Sequence, residues 1–176
     1  MSGFRFLNRK SLSWIPVLLC VGAMRAQSCM VLSPPNISAN GTASLDLSLY
    51  SARGGEPTTV QWTFEYPSSR IQSLAVDEGP ALTSAGKTAM CSGDGAAYNC
   101  VAVGTNTKAI GNGIIAKLTA VLAPGATAAA IQIKSPLGAS SAGYLIPIRS
   151  IVLSGSGADV PSDCKPQPPK RAPVRK

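Results

Sequence analysis

The chain has 176 residues, of which 14% are charged and 5% aromatic, against 17 glycines and 14 prolines. That length allows one domain with a useful core and hardly two, and that composition suits short strands with many turns. The net charge of +8 sits at the ends, in Arg5, Arg9, Lys10 and Arg25 and then in Lys165, Lys170, Arg171, Arg175 and Lys176. Between them cations and acids balance, which excludes the basic groove of a nucleic-acid-binding domain.

Residues 1–28 read as a secretory signal peptide: a basic start, an apolar run from Leu12 to Val21, and small residues at Gly22, Ala23, Ala26 and Ser28. The run is short for a bilayer span, though a retained N-terminal anchor is the alternative. Cys20 and Cys29 are poor lipoprotein sites, because Leu19 and Gln27-Ser28 precede them. The sequons at Asn36 and Asn40 matter only in a eukaryotic secretory pathway and are read as turn residues.

Ala43 to Tyr50 alternates cleanly, Leu45, Leu47 and Leu49 against Ser44, Asp46 and Ser48, and predicts a strand. Gly54-Gly55 marks a loop. Val60, Trp62, Phe64 and Tyr66 then alternate with Gln61, Thr63 and Glu65 in the strand expected to anchor the core. Pro67-Ser68-Ser69 supplies turn chemistry, so Ile71 to Val76 is expected to return beside that strand. Asp77 to Gly86 is expected to be a loop and Lys87 to Met90 a short strand. Cys91 to Cys100, with Ser92-Gly93-Asp94-Gly95 at its turn, reads as a hairpin tip before a strand from Tyr98 to Val103.

Ile114 to Leu122 alternates between Asn112-Gly113 and Pro124-Gly125, with Ile114, Ala116, Leu118, Ala120 and Leu122 on one side. A helix is the alternative there; the closeness of the flanking turn signals favours a strand. Thr127 to Lys134, Tyr144 to Ile148 with an edge-tolerated Pro147, and Ile151 to Leu153 complete the set, with a loop from Pro136 to Gly143. The expected fold is all-β, a single sandwich of about eight or nine strands over residues 29–160. Residues 161–176, proline-rich and basic, are expected to be an extended tail that touches anionic envelope polymers and is released by salt.

The strand ending in Tyr66-Pro67-Ser68, the short apolar strand after it, Glu78-Gly79-Pro80-Ala81-Leu82, and Asn112 to Leu118 together resemble a cohesin-like domain, over roughly residues 31–160. The resemblance implies a jelly-roll β-sandwich in a secreted bacterial protein, related in fold to carbohydrate-binding modules. Cohesins that bind dockerins do so on a flat sheet face, so the resemblance implies a dockerin-like or other secreted protein partner. It carries no interface residue over. The chain departs from cellulosomal cohesins in its internal cysteine pair and single module.

Chemistry is sparse. The absence of histidine removes the commonest general base, the Ser-His and Cys-His nucleophile pairs and the usual zinc sites. Asp77-Glu78 is the one adjacent carboxylate pair, and neighbours on an extended chain point to opposite sides. Asp94, Asp77 and Glu78 make no D-x-D-x-D calcium loop. No catalytic residue, cofactor or metal is expected. Direct polysaccharide binding is the alternative function, and Tyr98 and Tyr144 are the candidate sugar contacts, since Trp62 shares a strand face with Val60 and Phe64.

If Cys20 leaves with the signal peptide, four cysteines remain in an oxidising compartment and allow three pairings. Cys91 and Cys100 flank one turn, and Cys29 and Cys164 bracket the domain, whose ends commonly lie close together. The expected bonds are Cys91 with Cys100 and Cys29 with Cys164.

Overall fold

A computed structural model describes residues 28–126, 130–155 and 157–165. Residues 1–27 of the proposed signal peptide, Cys20 among them, and the tail beyond Lys165 lie outside the described residues, whereas Ser28, expected as the last residue of that peptide, is buried at the start of the first strand. The strands are β1 (Ser28–Leu32), β2 (Asn36–Ile37), β3 (Thr42–Tyr50), β4 (Thr59–Glu65), β5 (Ile71–Glu78), β6 (Thr88–Gly93), β7 (Ala97–Val103), β8 (Gly113–Leu122), β9 (Gln132–Ala139) and β10 (Leu145–Val152), with one helix, α1 (Pro80–Ala85).

The strands follow one hydrogen-bonded path, β5-β8-β3-β1-β10-β9-β4-β7-β6, with β2 beside β3. β10 is the joint. Its first half, Leu145 to Pro147, pairs antiparallel with β9, and its second half, Ile148 to Val152, pairs parallel with β1. The path therefore doubles into two layers, β5-β8-β3-β1 and β9-β4-β7-β6, closed on one side by β10. Pro147, lacking an N–H, stands where the strand leaves one layer for the other.

The alternation read from the sequence fills the space between the layers. Leu45, Leu47 and Leu49 meet Trp62, Phe64, Ile71, Leu118 and Ile133, all buried, and Trp62 stands edge-on to Phe64 with ring centroids 6.2 Å apart.

Several expectations are corrected. The strand after Pro67 does not return beside β4: β5 pairs with β8 in the other layer, so Pro67 to Arg70 is a crossing between sheets. Asn36-Ile37 is a strand, paired with Ser44-Ala43, rather than turn. The loop from Asp77 holds α1, which Pro80 opens at its first turn and Gly86 (φ 64°) closes, the Gly86 and Lys87 amides reaching Thr83 O and Leu82 O. Residues 114–122 form a strand, yet Ile114 does not share the Ala116 face. Ile115 is an extra residue opposite Leu47 and Ser48, and this bulge buries Ile115 instead.

A second bulge sets Ser135 (φ 48°) and Pro136 opposite Trp62, so the chain continues as strand through Pro136 instead of entering a loop. The expected pair of strands at 144–148 and 151–153 is the single β10. The strand expected at 127–134 starts only at Gln132, and 127–129 lie outside the described residues. β1 was not expected at all. At the C-terminal end, residues 161–164 are part of the folded unit: Cys164 is 4% exposed and packs on Cys29 and Val31.

Candidate binding face

The layer β9-β4-β7-β6 turns one face to the core, and no described residue covers the other. The register sets five outward residues in a row across it: Pro147, Leu137, Gln61, Val101 and Met90, each opposite the next. Four of the five are apolar. Met90 is 55% exposed, and Leu145, on the next row, 66%. On the other side runs a polar row, Lys134, Thr63, Asn99 and Ser92, in which the Thr63 hydroxyl donates to Asn99 Oδ1 at 2.8 Å. Three shallow depressions open on this face: one around Gln61, Thr63, Met90, Asn99 and Ser135, one near Leu137 and Leu145, and one at the end near Glu65, Asp94 and Gln132. Apolar side chains on a sheet exposed as a band are the kind of surface that marks a protein contact.

The outer face of the opposite layer is different. Asp46, Lys117 and Asp77 form a charged row across β3, β8 and β5. Its β1 side is covered by the C-terminal stretch, where Cys29, Val31 and Cys164 form a small second core with Tyr50, Ile151, Leu153 and Val160. Arg149 Nη2 lies 2.7 Å from Asp163 Oδ2 and adds a partly exposed ion pair.

Cys29 is bonded to Cys164, and Cys91 to Cys100. Cys91 and Cys100 are direct cross-strand partners in the β6–β7 hairpin, with Cα atoms 4.1 Å apart. Asp94 turns that hairpin: its carboxylate accepts from the Ala96 and Ala97 amides at 3.3 and 3.2 Å, and these bonds hold its pKa below the usual value. The Tyr66 phenol behind it is shifted upward, by burial first and then by Tyr98 and Asp94.

The two candidate sugar contacts do not come together. Tyr98 points to the core side, opposite Phe64, with its ring over Gly93, where a Cβ would stand 2.3 Å from Tyr98 Cδ2. Tyr144 is 75% exposed in the β9–β10 turn, at the other end of the sheet. Among the described residues no group of three His, Cys, Asp or Glu side chains lies together. The apolar row was missed by sequence reasoning, which saw alternation within strands but had no register to set Met90 beside Val101 and Leu137.

No family model matches the sequence, and no curated protein is significantly similar to it. Solved structures are. The Coh-OlpA cohesin, from a type I cohesin–dockerin complex of Clostridium thermocellum, superposes with a TM-score of 0.60 at 8% identity, covering 72% of this chain and 99% of that one. The sixth cohesin of scaffoldin B from Acetivibrio cellulolyticus, in complex with the Cel5 dockerin, gives 0.58 at 10% identity, with 73% and 99% covered. A non-cellulosomal cohesin of the archaeon Archaeoglobus fulgidus gives 0.52 at 10%, with 73% and 93% covered. The fold is cohesin-like.

Proposed function

We propose that the chain is a non-catalytic protein-binding module acting outside the cytosol, which engages a dockerin-like partner on the open face of β9-β4-β7-β6. The observation that carries this reading is the uncharged row Pro147-Leu137-Gln61-Val101-Met90 on the face that no described residue covers. The dockerin complexes among the structural neighbours support a partner of that kind. Two disulfides support an oxidising compartment. Direct polysaccharide binding is less well supported, because the tyrosines form no shared platform.

Titrating a panel of purified dockerin modules, with insoluble polysaccharides in parallel, tests the reading. Val101 is half-buried between Gln61 and Met90 in the row, so Val101→Lys removes an apolar anchor and brings a charge into the contact. That costs about 2 kcal/mol, or roughly 30-fold in Kd, with the melting temperature unchanged. Retention on polysaccharide with no dockerin bound, or dockerin binding indifferent to Val101→Lys, refutes it.

A further inference from the structure

The two free edges of the sandwich are built differently. β5 ends in Asp77 and Glu78, charges of the kind that keep an edge from pairing with another chain. β6, Thr-Ala-Met-Cys-Ser-Gly, has no charge, no proline and no bulge. Its outward groups follow from the ladder. The Asp94 amide bonds Ala97 O at 3.2 Å, so positions 94, 92 and 90 exchange hydrogen bonds with β7, and Ala89, Cys91 and Gly93 turn their N–H and C=O groups away from it. The Ala89 amide confirms the direction, because it donates to Glu78 Oε1 at 3.1 Å. Among the described residues no strand hydrogen-bonds to the outward amides and carbonyls of Cys91 and Gly93, β5 coming near β6 without pairing with it.

We propose that β6 is a strand-addition edge whose occupant is a second copy of this chain, paired antiparallel about a two-fold axis at Cys91. This goes beyond the partner reading and does not depend on it. Centred there, the Cys91 amides and carbonyls of the two copies satisfy one another, and each Gly93 amide reaches the Ala89 carbonyl opposite. The same pairing sets Met90 opposite Ser92 of the other copy and brings the two Met90 side chains into diagonal contact on the outer face. That contact covers the largest exposed apolar group on the edge strand. β6 is uncharged and bounded by Lys87 at one end and Asp94 at the other, so antiparallel pairing with its own copy sets the acidic end of each strand beside the basic end of the other with no like-charge opposition, which is the argument for a second copy over an unrelated segment. Glu78 acts as a competitor, since its carboxylate holds the Ala89 amide that the dimer needs. Joined this way, the two sheets form one continuous surface with two binding faces side by side.

Sedimentation of the purified protein over a concentration series tests the proposal, with hydrogen exchange at the ends of the series. The mass is expected to double with concentration, and the Cys91 and Gly93 amides to become protected in proportion to the dimer fraction. Met90→Lys is expected to weaken the dimer at least tenfold, and Glu78→Ala to strengthen it severalfold by freeing the Ala89 amide. Ala89→Pro, which removes an outward N–H and leaves the β6–β7 ladder intact, blocks dimerisation by a second route should Met90→Lys fold poorly. Leu137→Lys, on the same row but two strands further from the edge than Val101, leaves the dimer unchanged, which separates the dimer contact from the partner face although Met90 belongs to both. A monomer at every concentration, or a dimer that leaves the Cys91 and Gly93 amides unprotected, overturns the proposal. So does protection that appears only when a protein partner is added.

Discussion

Replacing Cys29 and Cys164 together by alanine removes the bond that closes nearly the whole domain into a loop, with a sequence separation of 135. On the chain-entropy relation a loop of that length restricts the unfolded chain by about 5 kcal/mol at 25 °C, whereas the Cys91–Cys100 loop, with a separation of 9, contributes about 2.7 kcal/mol. The long bond is therefore worth as much as the lower end of the stability of a whole domain, ~5 kcal/mol. Both sulfurs are buried in the second core, so alanine, not serine, is the substitution that avoids adding a polar group there. Urea unfolding of the two double variants reads the difference. The long-loop variant is expected to lose the larger share of its midpoint, with a drop in Tm of about 15 °C, and to unfold with a steeper m, because its unfolded chain expands further. If removing Cys91–Cys100 costs more than removing Cys29–Cys164, loop entropy is not what the long bond supplies and the reasoning fails.

Trp62→Ala empties the middle of the core and is expected to cost about 3–5 kcal/mol in chemical unfolding, while Trp62→Phe costs far less, since the indole Nε1 is buried without a partner and its loss breaks no bond. The Ala97 and Ala96 amides hold the Asp94 pKa below the usual carboxylate value, so its contribution to the hairpin is present above the unfolded-state pKa and is lost as pH falls through the lowered one. Following the Ala96 and Ala97 amides by NMR is expected to show a single acid transition, absent in Asp94→Asn. Truncation after Lys165 is expected to leave Tm unchanged, whereas truncation before Cys164 removes the clamp and reproduces the loss seen in the Cys29 and Cys164 double variant.

What was legible in the sequence was local. Leu45, Leu47 and Leu49, and Val60, Trp62 and Phe64, face the core as their period requires. What was not legible was which strand lies beside which. Pro67 to Ser69 reads as a hairpin turn by residue chemistry, and nothing in those residues records that the chain crosses to the other layer and pairs β5 with β8. The bulge that buries Ile115 in place of Ile114 is invisible because both are isoleucine. β1 was missed because Ser28–Leu32 is buried throughout and so shows no alternation, as a strand covered on both faces must. The helix α1 is too short for a periodic signal, and its Pro80 and Gly86 read equally well as loop residues. The candidate face was missed for the same reason as the topology, since its five residues come from five strands.

The two layers differ in what lies over their outer faces, and the disulfides mark the division. Cys29–Cys164 fastens the first strand and the last described turn to the outer side of the β5-β8-β3-β1 layer, covering the apolar surface of β1 and holding Ser28 and Lys165 on that side. The other layer has no described residue over its outer face, and its far hairpin, β6–β7, is fastened by Cys91–Cys100 directly behind the row that ends in Met90. A sheet face is a usable contact surface only if its strands hold register, because a slip of one residue would turn Met90 and Val101 inward and Cys91 and Cys100 outward. The cross-strand bond forbids that slip at the edge strand, where only one neighbour supplies hydrogen bonds. The long disulfide thus secures the fold at the side where the described segment begins and ends, at Ser28 and Lys165, and the short one secures the register of the proposed partner face.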